Sequence, residues 1–112
     1  MAPMDSGHMD EERAARCLAE LGSATRLGVY RQLVRAGPGG LSFGDIRARL
    51  GIPQSTLSHH VARLAWAGLI THTREGRSQR CRAVYGTMEA LMAFLADECC
   101  ADERAEAGQA GA

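Results

Sequence analysis

Two stretches of helical periodicity, Ser42 to Leu50 and Gln54 to Leu64, are separated by only Gly51-Ile52-Pro53. A Gly stops the first helix, and Pro53 fits the first turn of the second, where a missing N–H costs nothing. Such a break is the spacing of a helix-turn-helix. Ser42, with Asp45 three residues on, makes a capping-box-like start for the first of the pair, with Phe43, Ile46 and Leu50 turned inward.

The flanking pattern builds one domain over residues 10–105. Upstream, Ala14, Cys17, Leu18 and Leu21 share a helical face that ends at Gly22. Ser23 is a good N-cap for a second helix with Leu27, Tyr30, Leu33 and Val34 as its apolar positions, and Gly37-Pro38-Gly39-Gly40 is a loop. Downstream, Leu57, Val61 and Leu64 form the inner stripe of the fourth helix, which ends at Gly68. The period then changes: Leu69–Arg74 and Ser78–Tyr85 read as strands around Glu75-Gly76-Arg77. A last helix starts near Thr87 and carries Met88, Leu91, Met92, Leu95 and Cys99 on one stripe. Residues 1–9, where Gly7-His8-Met9 resembles a cloning remnant, and the Gly/Ala-rich residues 106–112 are expected to be disordered. The predicted order is α-α-α-α-β-β-α, mainly helical with a β-hairpin. Aromatic residues make up only 4% of the chain, so the core must come from Leu, Val, Ile, Met and Ala, which favours helices. No apolar run reaches the roughly 18 residues of a membrane span, and no secretory core is visible, so a cytoplasmic protein with reduced thiols is expected.

A net charge of zero conceals a strong asymmetry. All 13 basic residues are Arg. Between Arg26 and Arg82 ten Arg face two acids, a net +8, while residues 1–25 carry −3 and residues 83–112 carry −5. A basic block inside a folded domain is the footprint of a nucleic-acid binder. On the fourth helix the polar side away from Leu57 and Val61 holds Ser55, Ser58, His59 and Arg63, with Gln54 and Thr56 at its start. Short or forked polar side chains of this kind suit phosphates and base edges in a major groove. Arg74 and Arg77, with Arg80 and Arg82, cluster at the hairpin tip, where cations can lie along a neighbouring backbone. A hairpin directly after a recognition helix is a wing. His59 and His60 point about 100° apart on a helix, which disfavours joint metal ligation, and His60 is expected to pack against the apolar stripe. No nucleophile–base pair or phosphate loop points to an enzyme.

Four segments together resemble the winged-helix repressors of the ArsR/SmtB family: Gly22-Ser23-Ala24-Thr25-Arg26-Leu27, Ser55-Thr56-Leu57-Ser58-His59-His60-Val61, Ala67-Gly68-Leu69-Ile70 and Arg74-Glu75-Gly76-Arg77. The resemblance covers about residues 10–105 and implies a winged helix-turn-helix. It also implies a homodimer formed through the first and last helices, bound to a two-fold double-stranded operator until an inducer releases it. No cofactor is required.

The inducer site varies within the family. The Cys-x-Cys used by some members near the third helix is absent from Ser42–Arg47, and the last helix lacks the histidine of the zinc site. The segment Tyr85 to Cys100 resembles the arsenic-responsive members, which implies Cys99 and Cys100 as ligands. Thiolates suit soft thiophilic species, so arsenite, methylarsenite or antimonite is the expected inducer. Where those members place a third cysteine after the pair, this chain has none near Glu106; Cys81 is the first candidate to complete the site and Cys17 the second. A thiol redox or persulfide sensor of the same fold is the alternative, although its usual cysteine in the second helix is missing.

Overall fold

Each of the first three helices begins on a side-chain cap. The computed structural model describes residues 8–111. In α1 (Glu11–Glu20) the Asp10 carboxylate accepts from the Arg13 amide at 2.8 Å, and in α2 (Ala24–Ala36) the Ser23 hydroxyl accepts from the Arg26 amide at 3.2 Å. Ser42 and Asp45 cap each other reciprocally at the start of α3 (Phe43–Leu50), as predicted, and Gly51 closes that helix in the left-handed region at φ 67°. Helix α4 (Gln54–Trp66) follows after two further residues. Pro53 is its N-cap rather than part of its first turn, and contributes no side-chain hydrogen bond there.

The hairpin of β2 (Ile70–Glu75) and β3 (Ser78–Ala83) is antiparallel, with Ile70 opposite Ala83 and Glu75 opposite Ser78. A two-residue strand, β1 (Leu41–Ser42), joins the other edge of β3 with Leu41 opposite Cys81, giving the order β1-β3-β2. Two residues are too short to show a period, so β1 is invisible in the sequence. The approach depends on Gly40, whose φ is 71° and where a Cβ would fall 2.0 Å from the Cys81 carbonyl oxygen.

The core lies where α2, α4 and the hairpin meet. Leu57, Val61 and Leu64 face inward together with Val29, Leu33, Ile46 and Leu69. Each such side chain contributes about 1.5–3 kcal/mol by leaving water. Met9, expected outside the fold, packs against this core. The N-terminal reading otherwise falls on residues 1–7, which lie outside the described residues.

The C-terminal end departs most from expectation. Helix α5 (Tyr85–Ala96) starts two residues earlier than predicted and stops before Cys99. Asp97 is extended, while Glu98 and Cys100 adopt φ 63° and 59°. A further helix, α6 (Ala101–Gly111), then runs through residues 106–111, which the sequence pattern leaves disordered. Its frequent Ala and its Asp102 and Glu103 in the first turn favour a helix locally. No helix of the described residues is long and apolar enough to cross a membrane.

Candidate nucleic-acid interface and thiol site

Helix α4 packs its apolar stripe against the core and so turns Gln54, Ser55, Ser58 and His59 to solvent, with Thr56 half-buried beside them. The uncapped start leaves first-turn amides directed outward, at the positive end of the helix. Arg47 of α3 donates to the Gln54 side-chain carbonyl at 3.4 Å. These two residues, with Arg77 and Ser78 of the wing, line a cleft of about 190 Å³ that no acid of the described residues lines. Guanidinium and amide donors around such a cleft suit a phosphate. Arg47 was not singled out from the sequence, where it is one cation in the basic block.

The wing separates its arginines into two sets. Arg74 and Arg77 are exposed near the tip. Arg80 and Arg82 instead turn to Glu75, at 3.3 and 3.1 Å. Arg82 also donates to Thr73, and Arg80 to the Gly39 and Gly40 carbonyls, which ties the wing to the loop after α2. Hydrogen bonding from Arg82 leads the effects that hold the Glu75 carboxyl below the usual range.

Arg63 is also engaged. Its Nε and Nη2 donate to the two carboxylate oxygens of Glu20 at 2.9 and 2.6 Å. Glu20 is 2% exposed and also lies 3.5 Å from Arg26, which donates to the Glu20 carbonyl at 2.6 Å. The Arg63 hydrogen bond, helped by the charges of Arg63, Arg26 and His59, holds the Glu20 carboxyl down against the opposing effect of burial. His60 is buried, as expected, and burial followed by the nearby Arg26 and His59 pushes its pKa down. Its Nδ1 lies 3.2 Å from the Arg26 Nη1. An arginine only donates, so Nδ1 accepts and the neutral imidazole carries its proton on Nε2.

The cysteines divide in the same way. Cys81 is fully buried on β3, opposite Leu41 and His72, and burial pushes its pKa up to about 11. Cys17 is fully buried on α1, donates to the Ala67 carbonyl at 3.5 Å, and is likewise raised by burial. Cys99 and Cys100 are exposed, with sulfurs 3.7 Å apart. Cys99 therefore lies in a turn, not on the apolar stripe of the last helix. Neighbours on a helix diverge by about 100°, whereas this pair sits on a non-helical turn in which Glu98 and Cys100 are both left-handed. Two sulfurs bound at about 2.3 Å with a tetrahedral angle sit about 3.8 Å apart, so the pair is already at chelating distance. Neither Cys81 nor Cys17 joins it, and among the described residues no group of three His, Cys, Asp or Glu stands ready for a metal ion.

A helix-turn-helix domain family matches residues 21–73. The chain is 33% identical over 110 residues to the HTH-type transcriptional regulator CmtR of Mycobacterium tuberculosis, covering 91% of each chain. It is 33% identical over 94 residues to the putative arsenical resistance operon repressor ArsR2 of Halobacterium salinarum, covering 81% of this chain and 77% of that one. Among solved structures, an ArsR-like transcriptional regulator from Rhodococcus sp. RHA1 superposes with a TM-score of 0.72 at 24% identity, over 87% of this chain and 89% of the other. The transcriptional repressor BigR from Xylella fastidiosa gives 0.60 at 23% identity, over 77% and 87%.

Proposed function

This chain belongs to the ArsR/SmtB family of winged-helix transcriptional regulators, and from that premise we propose that it is a homodimeric repressor released from its operator by a trivalent arsenical or antimonite held on the Cys99 and Cys100 thiolates. Family membership makes it a DNA-binding regulator and not an enzyme. One observation carries the arsenical reading: two exposed sulfurs, 3.7 Å apart, on a turn. Soft thiolates select soft thiophilic ions, and exposure lets the inducer in. The pair alone supplies two sulfurs. Methylarsenite needs no more, whereas arsenite or antimonite would complete its shell with oxygen or a further thiol. The similarity to a protein named as an arsenical resistance operon repressor favours the same class.

Dimerisation through α1 and α5 is supported by Leu18, Met92 and Leu95, which stand exposed on those helices. Inducer binding releases DNA only to the extent that it prefers the free conformation. We place that preference in the turn between α5 and α6, which carries both ligands.

A second reading rests on the same sulfur pair: oxidation or persulfidation of Cys99 and Cys100 as the signal. Native mass spectrometry separates the two. An adduct in which an As–OH or As–CH3 group replaces the two thiol hydrogens, with water released, upon treatment with arsenite or methylarsenite, and which is lost in Cys99→Ser, supports the first reading. Loss of two hydrogens or gain of sulfur under oxidant or persulfide, with no arsenic adduct, overturns it in favour of the second.

A further inference from the structure

Arg63 lies one helical turn after His59, on the side of α4 that carries the exposed polar residues, and half of its side chain is exposed (51%). Position alone would make it a candidate to contact DNA. Its guanidinium is nevertheless bound in the bidentate manner by a carboxylate that is almost wholly buried. We propose that Glu20 is a specificity-determining positioning residue: it clamps Arg63 to the end of α1 and withholds that cation from DNA.

Burial of Glu20 makes the clamp firm. A carboxylate that water cannot reach must keep its partners, since removing one leaves an uncompensated buried charge. Arg26, at the start of α2, supports the same group from the other side and is itself met by the neutral ring of His60 on α4. Three helices thus converge on one carboxylate. Trp66, one turn beyond Arg63, has its ring centroid 5.9 Å from the Arg63 guanidinium and 4.9 Å from that of Arg16, which further restricts where Arg63 can swing.

Withholding the cation matters because phosphate contacts strengthen binding to every sequence alike, whereas base contacts discriminate. A free Arg63 beside Ser58 and His59 would raise affinity for all duplexes and dilute the discrimination those residues provide. With Glu20 in place, this part of the recognition helix contributes shape and short polar groups, and the general phosphate contacts are left to Arg47, Arg74 and Arg77.

The inference rests on DNA binding by this chain. The test uses two labelled probes: a duplex enriched from a random pool by the wild-type protein, and the unselected pool. Binding of wild type, Arg63→Gln, Glu20→Gln and the double variant is followed by anisotropy across about 50–200 mM salt, with circular dichroism as the check on folding. Arg63→Gln should leave the slope of log affinity against log salt unchanged. Glu20→Gln should steepen it by about 0.9 and narrow the gap between the two probes, and the double variant should restore the wild-type slope. A slope reduced by about 0.9 in Arg63→Gln would mean that Arg63 already meets phosphate, which overturns the clamp. An unchanged slope in folded Glu20→Gln overturns it too. If Glu20→Gln does not fold, the Arg63→Gln slope still decides. Failure of the wild type to enrich any duplex would instead remove the DNA-binding premise.

Discussion

The Tyr85 hydroxyl donates to the Val34 carbonyl at 3.1 Å and shares its proton with the neighbouring Leu33 carbonyl at 3.3 Å. Tyr85 opens α5 and Val34 lies near the end of α2, so one side chain satisfies carbonyls that the helix end leaves without partners. The contact fastens the helix that leads to the thiol turn onto the domain that carries the recognition helix.

Replacing Tyr85 with Phe removes that bond and little else. Stability should fall by about 1 kcal/mol, read as a lower urea midpoint with an unchanged slope. A midpoint equal to wild type would show that water serves those carbonyls equally well.

Cys99→Ser and Cys100→Ser should each fold and hold the enriched duplex, yet stay bound when methylarsenite is added. Cys17→Ser should keep the response. Cys81→Ser places a hydroxyl at a fully buried position on β3, so it should lose about 1–3 kcal/mol of stability while still releasing DNA. Loss of release in a folded Cys81→Ser would return that residue to the ligand set.

Arg77→Ala should weaken binding to enriched and unselected duplexes by the same factor and reduce the salt slope by about 0.9, the pattern expected of a cation that contacts phosphate rather than bases. Ser58→Ala and His59→Ala should instead change the ranking among duplexes at a constant slope. Gel shifts against a panel of single-base variants distinguish the two patterns.

Stability should decline as pH falls below the ordinary histidine value of 6.5, because burial holds the folded pKa of His60 lower and the unfolded chain takes up the proton first. The contribution is intact above the unfolded value and is lost by the time pH has passed the folded one. His60→Gln should flatten this part of the profile. The lowered carboxyls of Glu20 and Glu75 act the same way in the more acidic range below the usual value of 4.5. Urea midpoints measured from pH 7 to 5 in wild type and His60→Gln test the histidine contribution; parallel profiles would exclude it.

Much of the fold was legible because its signals are local. Ser23 caps the helix it precedes, Ser42 and Asp45 bond across three residues, and Gly51 supplies the left-handed turn before Pro53. Each acts within one turn of chain, so the sequence pattern carries the helix-turn-helix directly. The inner stripe of Leu57, Val61 and Leu64 likewise set the outward direction of Ser55, Ser58 and His59.

What the pattern could not contain is the choice of partner between distant groups. Arg63 finds Glu20 across 43 residues, and Arg80 and Arg82 turn to Glu75 rather than outward, because a cation takes whichever carboxylate the fold brings near. Strand β1 exists only because Gly40 lets the loop touch the Cys81 backbone. The cysteines show the division most clearly. Sequence alone determined that four thiols were present and that two were adjacent. Tertiary structure decided which are exposed, since packing buried Cys17 and Cys81, while Cys99 and Cys100 stand in solvent with their sulfurs 3.7 Å apart on a turn that includes a left-handed Cys100.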